Sequence, residues 1–289
     1  MSINVELTAL VDGSGVQRRI TEINQIPLTY LERAGEGSET LTIFLHGLGL
    51  DAFDYLPYLK RHNGLAVAVT LHGFEQDHKQ DVEPVALERH AQLVSGLIDE
   101  LKRKHSDKRM ILVGFSLGAD LILRLGEYWR DENAQTELAA AILLDPNVNH
   151  TTMTISSVFA QAHLGLGVAA KRLISDLPDT DDALIATICE YIGRIGVKDF
   201  RHIRRLSQDA VNYWDPAGYS QIKNRLATVA KFAQQVRVVL SGPYGCHLPH
   251  LTAEPGLGGQ IKFQHHSEKD HFALIGSDFL AHQLSEVTN

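Results

Sequence analysis

The chain lacks several features that mark common classes of protein. It has only two cysteines, Cys189 and Cys246, in 289 residues, so no disulfide framework is expected and a reducing compartment, the cytoplasm, is predicted. Its 27 Lys and Arg are outnumbered by 35 Asp and Glu, and the formal charge of −8 argues against non-specific binding to nucleic acid or anionic lipid. No apolar run reaches the roughly 18 residues of a membrane span, and the N-terminus has no signal-like stretch.

The composition that remains is that of a globular protein. Hydrophobic residues make up 44% of the chain and charged residues 21%, which is enough apolar material for one large core. Fifteen histidines supply candidate general bases or metal ligands near neutral pH.

Apolar patterning predicts an α/β fold with a mostly parallel central sheet and helices on both faces. Alternation in the first thirty-odd residues is typical of three antiparallel strands. Continuous apolar runs then indicate strands buried on both faces, at 41–45, 65–70, 110–114, 139–144 and 236–241. Helical periodicity lies between these runs, at 85–102 and directly after Ser116, so right-handed βαβ crossovers are expected.

The alternation of strands and helices stops between Pro146 and Gln235. Helix patterns at 183–194 and 198–210 occupy this stretch, and no buried strand is evident. We therefore expect a helical cap over residues 146–235, inserted into a core formed by 1–145 and 236–289.

The most informative motif is Gly114-Phe115-Ser116-Leu117-Gly118. It follows an apolar run and precedes a helical pattern, which is the order needed for a sharp strand-to-helix turn. Such a turn exposes the Ser116 hydroxyl beside backbone donors, and the flanking glycines give the turn room to pack.

Two further segments could complete a site around Ser116. His46-Gly47-Leu48-Gly49 follows another core strand, so the Leu48 N–H, together with that of Leu117, could bind a developing oxyanion. We interpret His46 as fixing that turn and not as catalytic. Asp270-His271-Phe272 follows the last strand pattern, which suits His271 as a general base, although a surface histidine before a helix would look the same.

Together these motifs resemble the α/β-hydrolase superfamily over nearly the whole chain. The resemblance implies that Ser116 is the nucleophile, that His271 is its base, and that the N–H groups of Leu48 and Leu117 form the oxyanion hole. It also implies a small-molecule acyl substrate and no cofactor. The oligomeric state stays open, a homodimer included.

The triad acid departs from the family's commonest pattern. Residues 242–249, after the strand pattern at 236–241, contain no carboxylate. Some members take the acid from the end of the preceding strand, where this chain has Asp145, and we predict that Asp145 is the acid. The alternatives are an Asp-Pro turn at that position, Glu254 or Asp270 as the acid, or a dyad without one.

Other polar clusters have ordinary explanations. We expect no metal site, because the late histidines lack a full set of ligands at defined spacing; they are His247, His250, His265 and His266. A basic cluster could bind an anionic group, but a charged outer helix face is commoner; it comprises Arg194, Lys198, Arg201, Arg204 and Arg205. Tyr213-Trp214 could line an acyl pocket or pack the cap onto the core.

The sequence thus predicts a serine hydrolase that cleaves a carboxylic ester, thioester or lactone through an acyl-serine. A C–C bond hydrolase or an acyltransferase on the same triad is an alternative. A binding protein that retained the fold without activity is another.

Overall fold

The computed structural model describes most of the chain, namely residues 7–11, 13–35, 37–75, 82–161, 165–175, 182–253 and 259–288. Its centre is a nine-stranded sheet in the order β1-β2-β3-β5-β4-β6-β7-β8-β9. The strands are β1 Leu7–Val11, β2 Val16–Ile23, β3 Ile26–Arg33, β4 Thr40–Leu45, β5 Leu65–Thr70, β6 Arg109–Phe115, β7 Leu138–Leu144, β8 Ala233–Ser241 and β9 Ile261–His266.

The sheet confirms the predicted division between antiparallel and parallel parts. The first three strands form an antiparallel meander, which joins β5 antiparallel, whereas every pair from β5 to β9 is parallel. All six residues of β5 are buried, as expected for a parallel strand that is covered on both faces.

The helices cover the sheet in two layers. They are α1 Leu56–Arg61, α2 Leu87–Lys104, α3 Leu117–Asp131, α4 Thr154–Phe159, α5 Leu166–Ser175, α6 Asp182–Gly196, α7 Phe200–Tyr213, α8 Ser220–Val229, α9 Leu248–Thr252 and α10 Ser277–Thr288. In one layer α3 packs against α2 and α8, and in the other α1 packs against α10. Right-handed crossovers explain why α1 lies in a different layer from α3 and α8. The connection through α1 moves from β4 to β5 in one direction across the sheet, whereas the connections from β6 to β7 and from β7 to β8 move in the opposite direction.

Helices α4 to α7 form the insertion between β7 and β8, and α4 packs against both α5 and α7. Helix α8 also lies within the range 146–235, but it packs against α3 in the helical layer over the sheet. A separate cap over that range stays a prediction. The helix predicted from Lys198 starts later, at Phe200, because the Asp199 side chain caps it by accepting a hydrogen bond from the Arg201 N–H at 2.9 Å.

The strand register brings four turns together at one edge of the sheet. Leu45 of β4 pairs with Gly114 of β6, and Phe115 pairs with Leu144 of β7. Leu144 in turn pairs with Val239 of β8. Because these strands are parallel, the segments that follow their carboxyl ends are neighbours, which is where ligands bind in open α/β sheets.

Candidate active site

Ser116 occupies a strained turn between β6 and α3. Its backbone has φ of +52° and ψ of −118°, a conformation that L-residues rarely adopt, and its N–H donates to the Leu144 carbonyl at 2.8 Å. The surrounding glycines are sterically required. A Cβ on Gly114 would overlap the Gly118 carbonyl, and one on Gly118 would overlap the Leu45 carbonyl. The sequence motif therefore forms the tight turn that it predicts.

Asp145 and His271 lie in direct contact, although 126 positions separate them in the chain. The His271 Nδ1 and the Asp145 Oδ2 are 2.8 Å apart. The Asp145 carboxylate is fully buried, whereas the His271 side chain keeps 20% of its surface accessible. With Asp145 ionised, Nδ1 carries the shared proton, which leaves the Nε2 lone pair available as a base.

The neighbouring strand β8 fixes Asp145. The Asp145 N–H donates to the Val239 carbonyl at 2.8 Å, and its φ of +44° is in the left-handed region. At the end of β8, the Ser241 N–H donates to Oδ1 at 2.7 Å and the Ser241 hydroxyl to Oδ2 at 2.5 Å. The buried charge thus has three hydrogen-bond partners, counting His271, as a buried carboxylate requires.

Aromatic rings pack against the His271 imidazole. The Tyr244 ring is nearly parallel to it, at 7° and 5.8 Å between centroids, and the Phe115 ring lies 4.6 Å away. No hydrogen bond joins the Ser116 hydroxyl to His271 among the described residues, but both side chains line one small cavity of about 20 Å³. Catalytic hydrogen bonds are often long in ligand-free structures, so this arrangement is compatible with a nucleophile and its base.

Leu48 lines the same cavity as Ser116, and Leu117 directly follows Ser116 in the chain. Leu117 is the first residue of α3, so its N–H has no acceptor within the helix. The N–H of Leu48 donates to no described residue. These are the two N–H groups that the sequence predicts for an oxyanion hole.

The turn that carries Leu48 is held by side chains on its carbonyl groups. The His46 Nε2 accepts from the Leu71 N–H at 3.0 Å, so its Nδ1 carries the proton and donates to the Gly47 carbonyl at 2.8 Å. Burial lowers the pKa of His46 to about 4, so the ring is neutral near pH 7. His46 therefore has the structural surroundings expected of a turn-fixing residue.

Residues of the insertion contact the same turn. The Tyr191 hydroxyl donates to the Leu48 carbonyl at 2.8 Å, and Lys198 Nζ donates to the Leu50 carbonyl at 3.0 Å. Gly49 has φ of +76°, and a Cβ there would overlap the Ile195 side chain of α6. The turn and α6 are therefore packed without space for a side chain between them.

A larger cavity of about 260 Å³ adjoins the Ser116 cavity. The two share Leu50, Tyr191 and Phe272 as walls. Its lining includes apolar residues and the charged side chains Asp54, Glu190 and Arg194. A substrate that reaches Ser116 therefore has an adjoining space of mixed polarity.

Most of the predicted basic cluster is neutralised by nearby carboxylates. The ion pairs join Arg194 to Asp54 and Glu190, Lys198 to Asp51, Arg201 to Asp199, and Arg205 to Asp209. The Arg204 guanidinium also lies over the Phe200 ring, 5.1 Å from its centroid. The arrangement fits charged helix surfaces and buried contacts better than a free anion site.

Tyr213 and Trp214 anchor the end of α7. The Trp214 indole N–H and the Asn147 side-chain amide both donate to the buried Asp120 carboxylate, at 3.2 and 2.5 Å, and the Tyr213 hydroxyl donates to Glu127. Burial raises the pKa of Asp120 to about 6. Neither aromatic residue lines the Ser116 cavity, so their contacts favour the packing alternative.

The other candidates for the triad acid are Glu254 and Asp270. Glu254 lies outside the described residues. The Asp270 carboxylate accepts from the Ala273 N–H at 2.7 Å and caps the turn after His271.

No group of three His, Cys, Asp or Glu side chains is arranged to hold a metal within the ranges described above. In those same ranges no helix is both long and apolar enough to traverse a bilayer.

Sequence reasoning missed the supporting residues Ser241 and Tyr191. Ser241 had a usable signal, because it ends the strand beside β7 and so lies at the same edge of the sheet as Asp145. Tyr191 had none, since its contact with Leu48 spans 143 positions and depends on how α6 docks.

Comparison with known proteins identifies the fold. Among solved structures, a thermophilic esterase from Thermogutta terrifontis aligns with a TM-score of 0.64 at 14% identity, covering 100% of both chains. AqDC, described for recognition and ring-cleavage of the Pseudomonas quinolone signal, aligns at 0.68 and 15% identity over 93% of this chain and 100% of its own. E-2-(Acetamidomethylene)succinate hydrolase aligns at 0.62 and 15% identity over 94% of this chain and 98% of its own.

At these identities the structural likenesses establish a shared fold and leave the substrate undetermined. A search of curated protein sequences finds no match. The family model of the alpha/beta hydrolase family matches residues 42–260, which is most of the chain and includes Ser116 and Asp145. The chain belongs to the alpha/beta hydrolase family.

Proposed function

We propose that this protein is a serine hydrolase that cleaves a carboxylic ester, or a related thioester or lactone, through an acyl-serine intermediate. The observation that carries the proposal is the 2.8 Å contact between Asp145 and His271 at the cavity that Ser116 also lines. A buried carboxylate behind an imidazole, with a strained serine in the same cavity, is the arrangement that activates a hydroxyl nucleophile.

In the first half-reaction the Ser116 Oγ attacks the substrate's carbonyl carbon while His271 Nε2 takes its proton. The carbonyl π electrons move to the oxygen, and the N–H groups of Leu48 and Leu117 stabilise that oxyanion, at about 3 kcal/mol of barrier per donor. Asp145 stabilises the imidazolium through Nδ1. When the carbonyl re-forms, the bond to the leaving oxygen breaks and His271 protonates the leaving group.

In the second half-reaction water replaces the departed alcohol. His271 Nε2 accepts a proton from the water, whose oxygen attacks the acyl carbon of the Ser116 ester. The second tetrahedral intermediate collapses, the acid leaves, and Ser116 recovers its proton from His271. Apart from substrate and water, every group in these steps is a side chain or N–H of this chain.

A fluorophosphonate probe, which phosphonylates activated serines, tests the proposal. Wild type should be labelled and should release nitrophenol from p-nitrophenyl acetate, whereas Ser116→Ala should do neither. Ser207→Ala is the matched control, because Ser207 is a buried serine whose hydroxyl bonds to the Ile203 carbonyl of its own helix. That variant should be labelled like wild type.

Each outcome of the labelling test has a distinct meaning. An unlabelled wild type, or equal labelling of Ser116→Ala, would contradict the acyl-serine mechanism. A labelled enzyme that hydrolyses no ester, thioester or lactone would keep Ser116 as nucleophile but would favour C–C bond hydrolysis or acyl transfer.

A further inference from the structure

Lys198 is an unusually buried cation outside the proposed triad. Only 1% of its side chain is accessible, and its ammonium group donates three hydrogen bonds, to Asp51 Oδ2 at 2.7 Å and to the carbonyls of Leu50 and Phe74 at 3.0 Å each. Burying an ammonium costs several kcal/mol unless such partners compensate it. All three protons are thus used within the protein, which argues against Lys198 as a ligand for an anionic substrate.

The partners of Lys198 connect three segments of chain. Leu50 and Asp51 continue the turn that carries Leu48, Phe74 belongs to the turn after β5, and Lys198 itself lies between α6 and α7. The Asp51 carboxylate also accepts from the Phe53 N–H at 2.8 Å and caps the following 3₁₀ turn. Lys198 therefore fixes the far end of the Leu48 turn to the insertion.

Planarity of the peptide links these contacts to the oxyanion hole. The Leu48 N–H belongs to the same planar unit as the Gly47 carbonyl, and in a trans peptide the two point in opposite directions. His46 holds that carbonyl at 2.8 Å, and Tyr191 holds the next carbonyl, that of Leu48, also at 2.8 Å. With the planes on both sides of the Leu48 Cα anchored, its two backbone torsions are set, and so is the direction of its N–H.

We propose that Tyr191 and Lys198 are positioning residues that hold the Leu48 N–H in line for the oxyanion at Ser116. This inference rests on the proposed hydrolase function. It assigns to the insertion a part in transition-state stabilisation, in addition to any part in enclosing substrate. Both residues act through the backbone of the turn and neither needs to touch the reacting atoms.

The test compares Lys198→Met with Arg237→Met, after fluorophosphonate labelling of wild type has established the acyl-serine mechanism. Arg237 is the matched control, because its guanidinium is also buried and paired, with Glu286 of α10, on a strand away from the Leu48 turn. Lys198→Met should lower kcat about 10- to 100-fold and leave KM within about threefold, since a whole oxyanion donor accounts for about 10²- to 10³-fold. Arg237→Met should lower Tm and leave the kcat of the folded enzyme within about twofold.

A boronic acid inhibitor provides a readout that a purely structural role would not change. It forms a tetrahedral adduct that imitates the oxyanion, so its Ki should rise in Lys198→Met by the factor by which kcat/KM falls. Unchanged kcat in folded Lys198→Met, an equal fall of kcat in Arg237→Met, or an unchanged Ki would each overturn the proposal.

Tyr191→Phe keeps the inference testable if Lys198→Met does not fold. It removes one hydroxyl and retains the ring in its packing, so kcat should fall about 3- to 10-fold with KM nearly constant. Unchanged kcat in Tyr191→Phe would overturn the proposal independently. A wild type that the fluorophosphonate does not label would instead contradict the proposed function.

Discussion

The two sides of the candidate site are held by different parts of the molecule. Asp145 is fixed by the sheet itself, through Val239 and Ser241 of the neighbouring strand. The Leu48 turn is fixed by His46 from the core and by Tyr191 and Lys198 of the insertion. The acid side thus follows from strand order, whereas the oxyanion side depends on how one insertion docks.

The largest expected effect on kcat comes from a change on the acid side of the site. Asp145→Asn should lower kcat about 10³- to 10⁴-fold, because an amide no longer selects the His271 tautomer that leaves Nε2 as base. Asparagine has nearly the same shape and tolerates the positive φ of this position, so folding should be retained. Steady-state hydrolysis of p-nitrophenyl acetate, with circular dichroism as a folding check, measures the effect.

A near wild-type rate in Asp145→Asn would assign the acid role elsewhere. Glu254→Gln would then be the next variant to measure. If Asp145 is the acid, Glu254→Gln should hydrolyse the same ester within about twofold of wild type.

The next prediction concerns the free energy of unfolding and its dependence on pH through His46, which holds the turn on the oxyanion side. Burial lowers the pKa of His46 in the folded protein to about 4, below the ordinary value of 6.5, so between these pH values the unfolded chain binds more protons. This contribution to stability is fully present above pH 6.5 and is lost as the pH falls from 6.5 to about 4, by on the order of 3 kcal/mol. Urea unfolding of wild type between pH 7 and pH 4 should show this loss.

The variant His46→Gln isolates the contribution of that histidine. Glutamine can still accept from the Leu71 N–H but does not titrate, so the fall in unfolding free energy over the same pH range should be shallower. An identical pH slope in His46→Gln and wild type would mean that other groups carry the loss.

The smallest expected effect returns to the acid side. Ser241→Ala removes the hydroxyl donor to Asp145 but leaves the Ser241 N–H donor and His271 in place. We expect kcat to fall about 3- to 5-fold, because the carboxylate keeps two partners and its backbone anchor. A loss as large as that of Asp145→Asn would show that the strand does not by itself fix the acid.

Much of the fold was predictable because it rests on short-range patterns. Continuous apolar runs located five of the six parallel strands, β4 to β8, each to within three residues of its bounds, since strands buried on both faces must be apolar throughout. Ser116 was predictable for the same reason, because the glycines on either side of it form a pattern of five consecutive residues; one of them, Gly114, is required by its close approach to the Gly118 carbonyl within the same turn.

The contacts that position the site were less accessible to sequence reasoning. Lys198 was grouped with exposed basic residues because spacing gives charge but not burial, and its partners lie more than 120 positions away. Likewise, strand pattern could place Asp145 at the correct edge, but it could not show that Ser241 stabilises the charge.

The absence of a side chain at Gly49 has a consequence for recombination between relatives. Because α6 rests directly on that residue through Ile195, the insertion and the turn form a matched pair of surfaces. Grafting another relative's insertion onto this core would therefore require a small residue at 49 and a compatible neighbour for it in the incoming helix. The residue at position 49 would therefore decide whether an exchanged insertion can pack against this core.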